Sequence, residues 1–344
     1  MITTLSSGAA YTLACSDGSG SESNAGSDGD GGPGGLSEAG VGPTDAAAPA
    51  TTMRLAHLAE ALGPVDFCYR TAKTSSFEGP VLGRGLGGDK PRDAGRTDGS
   101  DASVVELLDA SDLDDGSANE GGADGGGVAR VDYRTVSRYL ALDASGPLTI
   151  ALVAPGSTSC ATPLFTADVT LDPGKLSTVA ILGRVAPDAS DGALALVAFI
   201  DDRMTVASKG RIRMIHAALG TATRSPAGAL SVRASGSQTV TIAERVEPKK
   251  AASPSATVPV DSLGYATVEP VPAPAQLAVG AAASPTASDA SSDSWVSKAG
   301  AFDVRGGSLH TGFVLSGRGD QPFEVLWCTD TSTTGDLTTC ALVR

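Results

Sequence analysis

From about residue 53 to the end, the chain alternates short apolar runs with clusters of Gly, Pro, Asp and Ser. In the first half these runs are VDFCYR (65–70), LTIALVA (148–154), TADVTL (166–171), STVAILGR (177–184) and ALALVAFI (193–200). The second half continues with RIRMIHA (211–217), ALSVRA (229–234), QTVTIAERV (238–246), QLAVG (276–280), AFDVR (301–305), TGFVLSGR (311–318) and FEVLWC (323–328). Their length and their Val, Ile, Thr and Phe content are those of β-strands. Helical periodicity is limited to single-turn patterns at 58–62 and 104–108. Many short strands at this spacing predict an all-β chain of two tandem antiparallel β-sandwich domains, immunoglobulin-like or transthyretin-like.

The halves repeat one another. Arg54-Leu-Ala-His57 matches Arg213-Met-Ile-His216, and the run from Thr178 to Arg184 matches Thr311 to Arg318 with one extra residue. VAFIDD (197–202) lines up with VLWCTD (325–330), which pairs Asp202 with Asp330. Three matched segments in one order indicate a duplicated domain. The expected boundaries are 51–207 for the first domain, with an acidic Gly-rich insertion at 89–127, and 208–344 for a divergent second domain. A smaller loop is expected at 281–294 of the second copy.

Ahead of the first run the pattern disappears. Residues 16–50 carry Gly, Ser, Asp, Ala and Pro with nothing to build a core, so a disordered tether is expected there. Residues 1–15 read as a degenerate lipoprotein-type leader, with Leu13-Ala14-Cys15-Ser16 resembling a lipobox and Cys15 as the lipidated residue. The leucine stands two rather than three positions before the cysteine and the leader lacks Lys and Arg, as a start codon set too far downstream would produce. The other four cysteines, Cys68, Cys160, Cys328 and Cys340, are even in number and fit two disulfides in an oxidising compartment. Cys328 and Cys340 are expected to close a local hairpin, and Cys68 and Cys160, 92 positions apart, to bridge within the first domain.

Charge narrows the partners. Lys plus Arg total 25 against 39 Asp plus Glu, a formal charge of −14, which repels nucleic-acid phosphates and anionic lipid. No run of about 18 apolar residues is present to span a membrane, so the expected membrane contact is the lipid anchor alone.

Four segments also resemble one bacterial family. RLAH followed by GPVDFCYR within 53–82, VDYRTVSRYLALDASGPLTIALVAPGSTSC (131–160), TLDPGKLSTVAILG (170–183) and RIRMIHA (211–217) are similar to the domain of unknown function 4397. The last segment resembles the opening of a second copy. Membership implies an exported, β-rich and often tandem protein, and supplies no catalytic residues.

The search for chemistry is largely negative. The chain has no G-x-S-x-G nucleophile elbow, H-E-x-x-H metal motif or phosphate-binding P-loop. An EF-hand frame starting at Ser111 puts Leu113 and Gly122 where oxygen ligands belong, so the motif fails, leaving only loose Ca²⁺ association for the acidic insertion. His57 and His216 end the first strand of each copy, where the ring is expected to bridge to a backbone carbonyl. Arg318-Gly319-Asp320, known from integrin ligands, reads as hairpin chemistry between two strands. No catalytic, cofactor-binding or metal residues are therefore assigned, and no cofactor is expected. The expected function is a non-catalytic, surface-displayed lipoprotein of the cell envelope, a structural or adhesive module contacting an envelope polymer or protein partner. The alternative is a small-ligand or glycan-binding module using loops at one end of a sandwich.

Overall fold

The structure is a computed structural model that describes residues 51–83, 130–144, 146–185, 192–219, 228–236, 239–255, 257–271, 275–282, 296–300, 303–317, 322–330 and 338–343. Cys15, the tether, the acidic insertion, the Arg318-Gly319-Asp320 tripeptide and nearly all of 281–294 lie outside the described residues.

Among the described residues every regular element is a strand. The first half holds β1 (Thr51–His57), β2 (Asp66–Thr71), β3 (Thr135–Val136), β4 (Leu140–Leu142), β5 (Gly146–Val153), β6 (Phe165–Leu171), β7 (Leu176–Leu182) and β8 (Ala195–Asp201). The second holds β9 (Gly210–His216), β10 (Leu230–Ser235), β11 (Thr239–Val246), β12 (Tyr265–Val268), β13 (Ala275–Ala281), β14 (Val296–Gly300), β15 (Leu309–Ser316), β16 (Phe323–Thr329) and β17 (Thr339–Val343). In the first half an outer sheet β2-β5-β6 covers an inner sheet β3-β1-β7-β8, with β4 also paired to β1. In the second, the outer sheet β11-β10-β13-β14 covers the inner sheet β12-β9-β15-β16-β17. Both inner sheets are mixed rather than antiparallel throughout, because β1 runs parallel to β7 and β9 parallel to β15.

Alternation along the inner strands explains the layering. On β1, Met53 and Leu55 enter a core shared with Phe67, Ile150 and Leu152 of the outer sheet. On β9, Ile212 and Met214 enter the corresponding core with Val232, Leu277 and Val279. The opposite faces are apolar as well: Ala56, Ala180 and Leu182 of the first inner sheet share a third cluster with Ile215, Phe313, Leu315 and Leu326 of the second. The two sandwiches thus pack inner sheet to inner sheet, in four layers. That is why β1, β7, β9 and β15 are buried almost from end to end, the pattern of strands covered on both sides.

Both disulfides form. Cys68 and Cys160 bridge with a Cα separation of 6.1 Å, and Cys328 faces Cys340 in register across β16 and β17. On the chain-entropy model the long loop contributes roughly 4–5 kcal/mol and the short one about 2–3 kcal/mol.

Three local expectations are corrected. Residues 58–62 form no helical turn; Ala61 takes φ 64° and Glu60 makes an isolated bridge to Arg184. The strand expected at 301–305 lies earlier, at Val296–Gly300, and Val304 forms only an isolated bridge with Val271. The repeat alignment slips by one at its end. Thr178 pairs with Phe199 and Thr311 with Cys328, so the counterpart of Asp330 is Asp201, not Asp202.

Candidate functional site

Strand register puts the same four residue types at equivalent places in each copy. Arg54 lies beside Thr178 on β7, and Arg213 beside Thr311 on β15. Tyr265 pairs with Arg213 on β12, and Tyr139, immediately before β4, occupies the matching place beside Arg54. Asp201 ends β8, and Asp330 immediately follows β16. All eight point away from the two interior cores and meet between the sandwiches.

The contacts cross over. Arg54 donates through Nη1 to Asp330 Oδ1 at 2.5 Å, while Arg213 donates through Nη2 to Asp201 Oδ1. Each arginine of one copy therefore reaches the aspartate of the other. Within a copy, Thr178 donates to Asp201 Oδ2 at 2.7 Å and Thr311 to Asp330 Oδ2 at 2.7 Å. Arg54 Nε donates to Thr178 at 2.7 Å, and the Tyr139 hydroxyl to Asp201 Oδ2 at 2.8 Å. The guanidiniums stack on the tyrosines, Arg54 at 4.9 Å from the Tyr139 ring centre and Arg213 at 4.8 Å from that of Tyr265. The two nitrogens left without a hydrogen bond, Arg54 Nη2 and Arg213 Nε, belong to these stacked groups.

Both arginines have 0% exposed side chains, so the pairing is not a surface salt bridge. Charges taken this far from water persist only when opposite charges and hydrogen bonds replace the solvent. Here two cations meet two anions. Burial alone would raise the Asp201 carboxyl, but Arg213 and Arg54 outweigh it and hold it below the ordinary carboxylate range. Burial would likewise lower the Arg54 and Arg213 guanidiniums, but the aspartates beside them raise both. Burial, with Asp201 close by, pushes Tyr139 up.

A general acid needs a raised carboxyl and a nucleophile needs a free lone pair and room. This cluster has a depressed carboxyl whose two oxygens already accept from Arg213, Thr178 and Tyr139. Its chemistry is spent on holding its own members.

The histidines are structural fixtures. His57 Nε2 meets the Gly63 carbonyl at 2.9 Å and His216 Nε2 meets that of Gly228 at 3.1 Å, the carbonyl bridges the sequence suggests. Burial lowers both, His216 to about 4. His310 lies against Trp327 and is lowered to about 4 by burial. Among the described residues no group of three or more His, Cys, Asp or Glu is placed to hold a metal ion.

The matching Arg and Thr were visible in the sequence as markers of a duplication, whereas the aspartate set against Asp330 was Asp202 rather than Asp201. Their role was not visible, because partnership across two inner sheets depends on register and layering.

Residues 115–225 match the family model for the domain of unknown function DUF4397. The matched residues include Tyr139, Thr178, Asp201 and Arg213 of the cluster but not Arg54, Tyr265, Thr311 and Asp330. DUF4397 carries no assigned activity. No curated protein matches the chain. Among solved structures, one from Bacteroides uniformis described as a "putative cell adhesion protein" is 10% identical and spans 85% of this chain and 98% of its own, at a TM-score of 0.19. That score carries no argument for fold or role.

Proposed function

We propose that this protein is a non-catalytic, exported surface module, a rigid pair of sandwiches that contacts an envelope polymer or a protein partner. The observation that carries this reading is the use made of its charged residues: the fold buries Arg54, Arg213, Asp201 and Asp330 against one another, as in a scaffold. Two disulfides support an oxidising compartment. The Cys15 leader and the tether would hold the module at a membrane through lipid alone.

The test has two arms. Growth of the native host with a palmitate analogue should label the wild type and leave Cys15→Ser unlabelled; equal labelling removes the anchor. Purified protein should co-sediment with isolated cell-envelope polymer, or cross-link to one envelope protein in intact cells. Turnover of a hydrolase substrate panel by the purified protein would overturn the non-catalytic reading.

A further inference from the structure

The contact between the two sandwiches has the form of a symmetric dimer interface inside one chain. In an isologous interface, residue i of one partner meets residue j of the other, and j meets i in return. Arg54 reaches Asp330 and Arg213 reaches Asp201, with Arg54 equivalent to Arg213 and Asp201 to Asp330. A second pair of contacts, alike in position though not in chemistry, lies further out. Arg134 and Lys249 take the same left-handed backbone, φ 69° and 62°, and donate their amides to the carbonyls of His57 and His216 respectively. Arg134 forms a buried ion pair with Glu324 at the start of β16. Lys249 donates to the Ala193 carbonyl, just before β8.

The apolar part keeps the positions but not the sizes. Ala56 is equivalent to Ile215 and Ala180 to Phe313, small in the first copy and large in the second, and all four share the central cluster. The order reverses at Leu58 and Ala217, large in the first copy and small in the second. Two identical first copies would bring only alanines to the first two places, and two identical second copies only Ile and Phe. Close packing penalises a void and an overlap alike, so the sizes suit an unlike pair.

We infer that this face is a self-sufficient recognition surface: each sandwich specifically binds the other, the arginine–aspartate exchange sets the orientation, and the covalent connection at 202–209 is not what holds them together. Four buried charges and a matched apolar patch are the ingredients of a lasting protein–protein contact. The inference stands whatever the module binds outside.

The test cuts the folded chain. A protease site is inserted after Met204, which is 71% exposed between β8 and β9, and the full-length protein is cleaved under native conditions. The halves should co-elute at the size of the uncut protein and dilute apart only at low concentration. Asp201→Asn in the same background should raise the dissociation constant at least tenfold, with far-ultraviolet circular dichroism unchanged. A less invasive variant, Arg134→Gln, should raise it by a smaller factor, which covers the case in which Asp201→Asn does not fold. Separation of the unmodified halves on cleavage overturns the inference. So does exchange of partners to give pairs of first halves or pairs of second halves in equal proportion to mixed pairs.

Discussion

The two faces of each inner sheet solve different problems. The face turned to its own sandwich is lined by Met53, Leu55, Val179 and Ile181 in the first copy and by Ile212, Met214 and Val314 in the second, with no charge among them. The face turned to the other sandwich mixes Ala, Leu, Ile and Phe with Arg54, Arg213, Asp201 and Asp330. Apolar burial drives collapse but is non-directional. Reciprocal charged hydrogen bonds are directional and costly when mispaired. The interior faces therefore account for cohesion within each sandwich, and the facing ones for a single arrangement of two.

Asp201→Ala is the largest way to break that contrast. It strands Arg213 and removes the acceptor of Thr178 and Tyr139. Denaturant unfolding should show a loss of about 3–5 kcal/mol. Replacing Arg54, Arg213, Asp201 and Asp330 together by apolar residues of similar volume should cost much less, and any loss should appear as loosened orientation in small-angle scattering. An equal cost for both variants would mean that the cluster stabilises rather than orients.

Acid sharpens the comparison through the buried histidines. His216 and His310 take up protons at about 6.5 when unfolded but only near 4 when folded. Their contribution is complete above pH 6.5 and declines as pH falls toward 4, by on the order of 3 kcal/mol for each residue. Asp201, depressed in the folded state, adds its loss only below the ordinary carboxylate range. Stability measured against pH should therefore fall in two stages. His216→Gln should shrink the first by the share of that residue and leave the second.

Ala180→Phe puts into the first copy the side chain the second has at Phe313. Overpacking should cost roughly 1–3 kcal/mol, and part should return in the double variant with Phe313→Ala. A null double-mutant coupling would show that the two positions are not size-matched. The smallest expected effect separates the tyrosines. Tyr139→Phe removes a hydroxyl that donates to Asp201 and should cost about 1 kcal/mol. Tyr265→Phe keeps the ring under Arg213 and should cost less.

Much of the architecture was legible because β5, β7 and β8 hold apolar stretches of strand length bounded by turn residues. Strands β12 and β17 were not, since YATV and TCALV are short and carry partly exposed positions. The adjacent Asp201 and Asp202 defeated the alignment: identity at the last Asp favoured the wrong one, and only pairing to β7 decides between them. Asp202 instead accepts from Arg211 at 2.9 Å. A signal for the cluster did exist. An arginine flanked by strand hydrophobes, as in MRL and IRM, needs a carboxylate partner, and each copy supplies one after the matched threonine.

The Asp66 carboxylate accepts from the amides of Phe67, Leu82 and Gly83, while Val65 and Val131 exchange both backbone hydrogen bonds. Two consecutive residues thus tie down the chain on both sides of 84–129, at Gly83 and at Val131. The second copy has no Pro-Val-Asp element after its histidine. A segment moored at both ends to one point can lengthen, shorten or be exchanged while the strands beyond it keep their register, because closure entropy grows only slowly with length. Val65 and Asp66 thereby make this position a port at which a foreign peptide can be grafted without disturbing the strands beyond it.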